Sequence, residues 1–140
     1  MVRAAELAPE VLLGALDEGA FYASSGVTLA DMSVADGRYK VAVQPEEGVT
    51  YTIEFFGTDA DHDPSPEAVL HPETGELVTY RYSDEVGRLL QRTTGTEAVY
   101  EMTGTELYVR ARVTSDKPMT LPVVEGEVEM AWLQPVVPTR

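Results

Sequence analysis

The 140-residue chain is long enough to bury one core, and its 44% apolar content is ordinary for a folded protein. Its 24 acids against 10 basic residues give a net charge of −14, which disfavours nucleic acid and anionic membranes as partners, since both recruit proteins through Lys and Arg. The absence of Cys excludes disulfides, thiolate metal sites and thiol nucleophiles, and no apolar run approaches the roughly 20 residues of a membrane helix.

The first ten residues, MVRAAELAPE, lack the apolar stretch of a secretory signal, and the compartment stays open. ELAPEVLLGALDEG predicts one short helix. Pro9 suits its first turn, Glu10 favours the positive end of the dipole, and Gly19 is a natural stop. Leu12, Leu13 and Leu16 recur at helical spacing beside Ala15, forming one apolar stripe that needs a partner surface, and Leu7 is placed to staple against Val11 or Leu12. Ala8 is a poor N-cap.

After Gly19 the period changes to two. VTLADMSV is a strand whose alternation slips near Asp31. Asp36-Gly37 is a tight-turn signal, and RYKVAVQ follows with Tyr39, Val41 and Val43 on one face. VTYTIEFF sets Val49, Tyr51, Ile53 and Phe55 against Thr50, Thr52, Glu54 and Phe56. From Gly57 to Gly75 the prolines, histidines and acids predict a long surface loop with a short helical turn around Pro66 to Leu70. ELVTYRY, GRLLQRT and EAVYEM are weaker strands. ELYVRARVT places Leu107, Val109, Ala111 and Val113 opposite Tyr108, Arg110, Arg112 and Thr114. EVEMAWL places Val128, Met130 and Trp132 on one face, which assigns Trp132 to the core, with a stacking platform for sugar as the lesser reading. Together these predict a mostly β protein: an antiparallel, immunoglobulin-like sandwich of about seven or eight strands with one short N-terminal helix. The helix and junction occupy residues 1–26 and the sandwich 27–140.

Chemistry is sparse. Asp59, Asp61 and Asp63 alternate as hard oxygen ligands do in the first half of a calcium loop. Pro64 stands where such a loop needs glycine and Leu70 where a bidentate glutamate would close it, so a solvated acidic loop is the preferred reading. His62 and His71 share that segment without ligand spacing and read as surface histidines. Ser24 and Ser25 lack the glycine two residues earlier that a nucleophile elbow carries, and they read as turn residues. Arg110 and Arg112 form an outward stripe able to clamp a carboxylate or phosphate, with cross-strand ion pairs as the plainer reading. No Gly-rich phosphate loop is present, and no catalytic residue is assigned.

The phrase PEVLLGALDEGAFYASSGV resembles the junction in PHP-type (polymerase and histidinol phosphatase) proteins, where the last helix of a metal-binding barrel passes into a C-terminal β-domain. The matching residues are Ala15, Leu16, Gly19, Phe21, Tyr22, Ala23, Ser24, Ser25 and Gly26. Ala131, Trp132, Gln134 and Pro135 match an A-W-x-[QN]-P phrase in that domain's final strand. The likeness spans essentially the whole chain, firm at the ends and thin between Gly57 and Gly104; Ala8 replaces the more usual capping Thr. It implies a parent metal-dependent phosphoesterase using divalent metals such as manganese, zinc or iron, whose ligands precede this helix. No catalytic or metal residue carries over. The chain is then expected to be a non-catalytic accessory domain. Through Leu12, Leu13 and Leu16 the helix would pack on the sandwich itself or on a PHP-like catalytic barrel, or form a homodimer, without a cofactor of its own. The alternative is a small-ligand or carbohydrate-binding module, with Phe56, Tyr80, Tyr82 and Tyr108 as candidate rings.

Overall fold

The computed structural model describes residues 1–138; Thr139 and Arg140, the end of the expected sandwich span, lie outside the described residues. The helix α1 runs Pro9–Asp17. Ala8 caps it only by its extended backbone, with Pro9 behind it. At the other end Gly19 takes φ +71° and the amides of Ala20 and Gly19 bond back to the carbonyls of Ala15 (2.8 Å) and Leu16 (3.1 Å), a Schellman closure. Leu7 is fully open to solvent, so the expected staple does not form: the extended Ala8 leads the preceding chain away from the helix.

Ten strands follow: β1 Tyr22–Ser24, β2 Leu29–Ala35, β3 Arg38–Val43, β4 Tyr51–Asp59, β5 Glu67–Leu70, β6 Leu77–Arg81, β7 Arg88–Thr94, β8 Glu97–Glu101, β9 Glu106–Pro118 and β10 Val128–Leu133. They form a five-stranded sheet in the order β1-β10-β9-β4-β7, a three-stranded sheet β2-β3-β8 and a separate hairpin β5-β6. All pairings are antiparallel. Lettered from β2 as A, the sheets are A-B-E and G-F-C-C′, an immunoglobulin-like Greek key with β1 added at the G edge. Among the described residues there are ten strands rather than seven or eight; the two sheets hold eight of them, and the hairpin adds the rest.

The alternation explains the core. Tyr39, Val41 and Val43 of β3 face Tyr51, Ile53 and Phe55 of β4 and Val109, Ala111 and Val113 of β9, all buried. Phe55 sits between Tyr39, edge-on at 5.6 Å, and Tyr100, stacked at 5.5 Å. Each large apolar side chain removed from water contributes about 1.5–3 kcal/mol. Asp36 and Gly37 both adopt positive φ, the geometry of a two-residue hairpin turn between β2 and β3. The slip expected near Asp31 is a register shift between Leu29 and Asp31.

Three further expectations are corrected. Residues 67–70 are a strand, not a helical turn, because their backbone pairs with β6; Val69 lies opposite Thr79 and Glu67 opposite Arg81. Leu107 is exposed, since the inward row of β9 is only complete from Val109 to Val113. Trp132 is not core: Ala131 pairs with inward Val113, so Ala131 and Leu133 point inward and Trp132 points out.

Candidate functional site on the outer sheet face

The outward row of the five-stranded sheet brings together residues from four strands. Glu54 of β4 lies opposite Arg92 of β7 and Arg112 of β9, and Arg112 lies opposite Trp132 of β10. Glu54 is only 3% exposed. Arg92 donates to its Oε1 at 2.7 and 2.9 Å, and Arg112 donates to its Oε2 at 2.6 and 3.1 Å. Burial alone would raise the Glu54 carboxyl; the hydrogen bonds and charge of Arg112 and Arg92 outweigh it and hold the group below its ordinary value. This is the cross-strand ion pairing expected for the arginine stripe, realised for Arg112.

Arg110 differs. It lies opposite Phe56, is exposed, and has no ion pair or hydrogen bond among the described residues. The Arg112 guanidinium lies 5.0 Å over the Phe56 ring, a cation–π contact. Beside it the Thr58 hydroxyl donates to the Tyr108 hydroxyl at 3.3 Å and accepts from the Gly87 amide at 2.8 Å. Phe56, Gly87, Tyr108, Arg110, Arg112 and Trp132 line an open concavity of about 260 Å³. Trp132 is 37% exposed there. The two arginines and two of the rings were legible in the sequence, whereas Trp132 was placed in the core, with a stacking platform only as the lesser reading. Pairing of Trp132 with Arg112 would have exposed the error.

The other candidate residues are dispersed. Asp59 accepts from Arg88 and, at 3.3 Å, from the Thr105 hydroxyl. Asp63 accepts from the Ser65 amide at 2.8 Å, and this backbone hydrogen bond, more than any other influence, holds its carboxyl below the ordinary value. Asp61 is exposed beside Asp59. Among the described residues no group of three or more His, Asp or Glu is arranged to hold a metal ion. His62 Nδ1 meets the Asp59 carbonyl at 2.8 Å, and His71 Nδ1 accepts from the amides of Glu73 and Thr74 at 3.3 Å. Ser24 Oγ donates to the Val27 carbonyl at 2.6 Å, and Ser25 Oγ accepts from the Met130 amide at 2.9 Å, so both serines fasten the turn after β1. Tyr80 and Tyr82 are exposed on and just beyond the hairpin, away from Phe56 and Tyr108.

A second concavity, about 240 Å³, lies between the N-terminal segment and β2, with Phe21, Tyr22, Leu29 and Met32 in its wall. Arg3 in its wall is engaged by Asp31 at 3.8 Å and the Met32 carbonyl at 2.9 Å. On α1, Ala15 is buried and Leu12 half-buried, while Leu13 and Leu16 are 62% and 43% exposed. No family model, curated protein or solved structure matches the chain. The likeness to PHP-type proteins therefore rests on the sequence phrases alone.

Proposed function

We propose that this chain is a non-catalytic accessory domain that docks on a partner domain through α1. The observation that carries the reading is the open leucine face: Leu13 and Leu16 lie in solvent on a helix whose C-terminus is firmly closed. A nine-residue helix is marginal in water unless an apolar face is packed. The junction phrase around Gly19 to Gly26 points to a PHP-like catalytic barrel as the partner, with metal-dependent phosphoester chemistry residing in that barrel.

The test is hydrogen exchange of the α1 amides in the chain alone and in the presence of a PHP-type barrel. Docking predicts rapid exchange alone and protection in the complex, and Leu13→Glu with Leu16→Glu abolishes the protection. Equal exchange in both states refutes the barrel partner. Sedimentation of the chain alone covers self-association: a dimer lost in the double variant assigns the face to a second copy. The non-catalytic claim is checked by assaying a generic phosphoester with manganese or zinc, where no turnover is expected. Turnover that disappears in His62→Ala overturns it.

A second reading, a small-ligand or carbohydrate-binding module, is favoured by one observation, the ring-and-arginine concavity around Trp132.

A further inference from the structure

The concavity on the outer face opposes the rest of this acidic molecule in sign. Arg92 and Arg112 share the single carboxylate of Glu54, and Arg110 has no partner among the described residues. Three guanidinium groups against one carboxylate leave a surplus of two positive charges. The chain as a whole carries a net −14, so the remaining surface is more acidic still. At physiological salt, exposed charges more than about 8 Å away are largely screened, so a small ligand in the concavity responds to the arginines. A long polyanion would extend beyond that radius over acidic surface and be repelled. The charge pattern selects a small anionic ligand.

The rings narrow the class further. Phe56 is already covered by Arg112, so the ring face open to a ligand is Trp132. Arg112 is likewise committed to Glu54, and the open guanidinium is Arg110. Trp132 pairs with Arg112, so Arg110 is its diagonal neighbour on the same face. Diagonal neighbours in an antiparallel pair stand roughly 7–8 Å apart. That spacing accommodates a six-membered ring lying on the indole with a carboxyl group reaching the guanidinium fork. Indole rings stack on sugar and aryl faces alike, and the planar fork of arginine matches a carboxylate.

We infer that the concavity formed by Phe56, Tyr108, Arg110, Arg112 and Trp132 binds a small carboxylate borne on a six-membered ring. The carboxylate is held by Arg110 and the ring stacks on Trp132. Two sources share this chemistry, a uronate sugar and an aromatic acid. The site is independent of the α1 docking face.

Trp132 is the sole tryptophan, so intrinsic fluorescence reports directly on the site. The experiment titrates the whole chain with galacturonate, its uncharged counterpart galactose, benzoate and inorganic phosphate at constant ionic strength. Saturable quenching by galacturonate or benzoate, with none by the neutral sugar or phosphate, is the expected result, and the stronger of the two acids identifies the source. Arg110→Gln is expected to weaken binding about tenfold with the melting temperature unchanged, since one lost charge-assisted contact is worth about that factor. Calorimetry on Trp132→Leu should show a similar loss. Leu13→Glu with Leu16→Glu should leave binding unchanged, which separates failure of this site from failure of the docking face. No saturable response to either acid, equal response to the neutral sugar or phosphate, or undiminished binding in Arg110→Gln overturns the inference.

Discussion

Replacing Glu106 with Gln should destabilise the protein in a way that fades with acid. Glu106 is buried at the start of β9, and its carboxylate organises the turn that carries the chain from β8 in one sheet to β9 in the other. Oε1 accepts from the Tyr100 hydroxyl at 2.7 Å and the Thr103 amide at 3.0 Å, and Oε2 accepts from the Gly104 amide at 2.9 Å. Burial works against the charge, but the donors from Thr103 and Tyr100 outweigh it and lower the carboxyl from 4.5 to about 2. That displacement is equivalent to about 3 kcal/mol favouring the ionised folded state. Gln keeps the acceptor at Oε1 but turns an N–H toward the Gly104 N–H, so the expected loss at neutral pH is about 2–3 kcal/mol. At roughly 3 °C per kcal/mol for a chain of this length, the midpoint falls by about 6–9 °C. Because the folded value is depressed, the contribution of the ionised group is complete above the ordinary value of 4.5 and is lost as pH falls toward about 2. Urea unfolding of both proteins across that range, followed by Trp132 fluorescence, measures the difference. The two proteins should converge at the acid end. A difference that is independent of pH, or below about 0.5 kcal/mol at neutrality, refutes the role given to the carboxylate.

Gly57→Ala should lower stability by about 1–3 kcal/mol in the same urea assay, because a Cβ there would lie 2.7 Å from both the Tyr108 carbonyl oxygen and Leu90 Cδ1. At alkaline pH, burial holds the Tyr39 and Tyr100 hydroxyls neutral above their ordinary 10.0. The folded state then retains protons that the unfolded chain releases, so stability falls as pH rises past 10.0. Tyrosinate absorbance should show these two groups ionising together with loss of far-ultraviolet circular dichroism. Millimolar calcium should leave the melting temperature unchanged, since Asp59 is committed to Arg88 and Thr105 and Asp63 to the Ser65 amide. A rise would assign a calcium site to Asp59, Asp61 and Asp63, because a ligand of the folded state alone must stabilise it.

The sandwich was legible wherever one face of a strand is apolar and the other polar. Tyr39, Val41 and Val43, then Tyr51, Ile53 and Phe55, declare their direction without reference to neighbours, and Asp36-Gly37 declares its turn. β10 does not. Val128, Met130 and Trp132 on one phase outweigh Ala131 and Leu133 on the other in apolar bulk, and only the pairing of Ala131 with Val113 decides between them. The burial of Glu54 was equally hidden, since it depends on Arg92 and Arg112 arriving from strands distant in sequence. For β5, prolines and acids masked a short segment whose strand character comes from pairing with β6.

The hairpin β5-β6 leaves the sandwich at the end of β4 and returns at the start of β7, and those two points are already joined. Gly57 pairs with Arg88, and Asp59 and Arg88 form an ion pair. Residues 61–86 are therefore a closed excursion whose removal leaves no gap in the sheet, while Ala60 stays bonded to the Thr105 carbonyl and Gly87 to Thr58. A short turn from Ala60 to Gly87 would restore a plain eight-stranded sandwich, with little change in loop-closure entropy. The excursion is thus a natural cassette, and a peptide inserted at its tip would be displayed without disturbing the core.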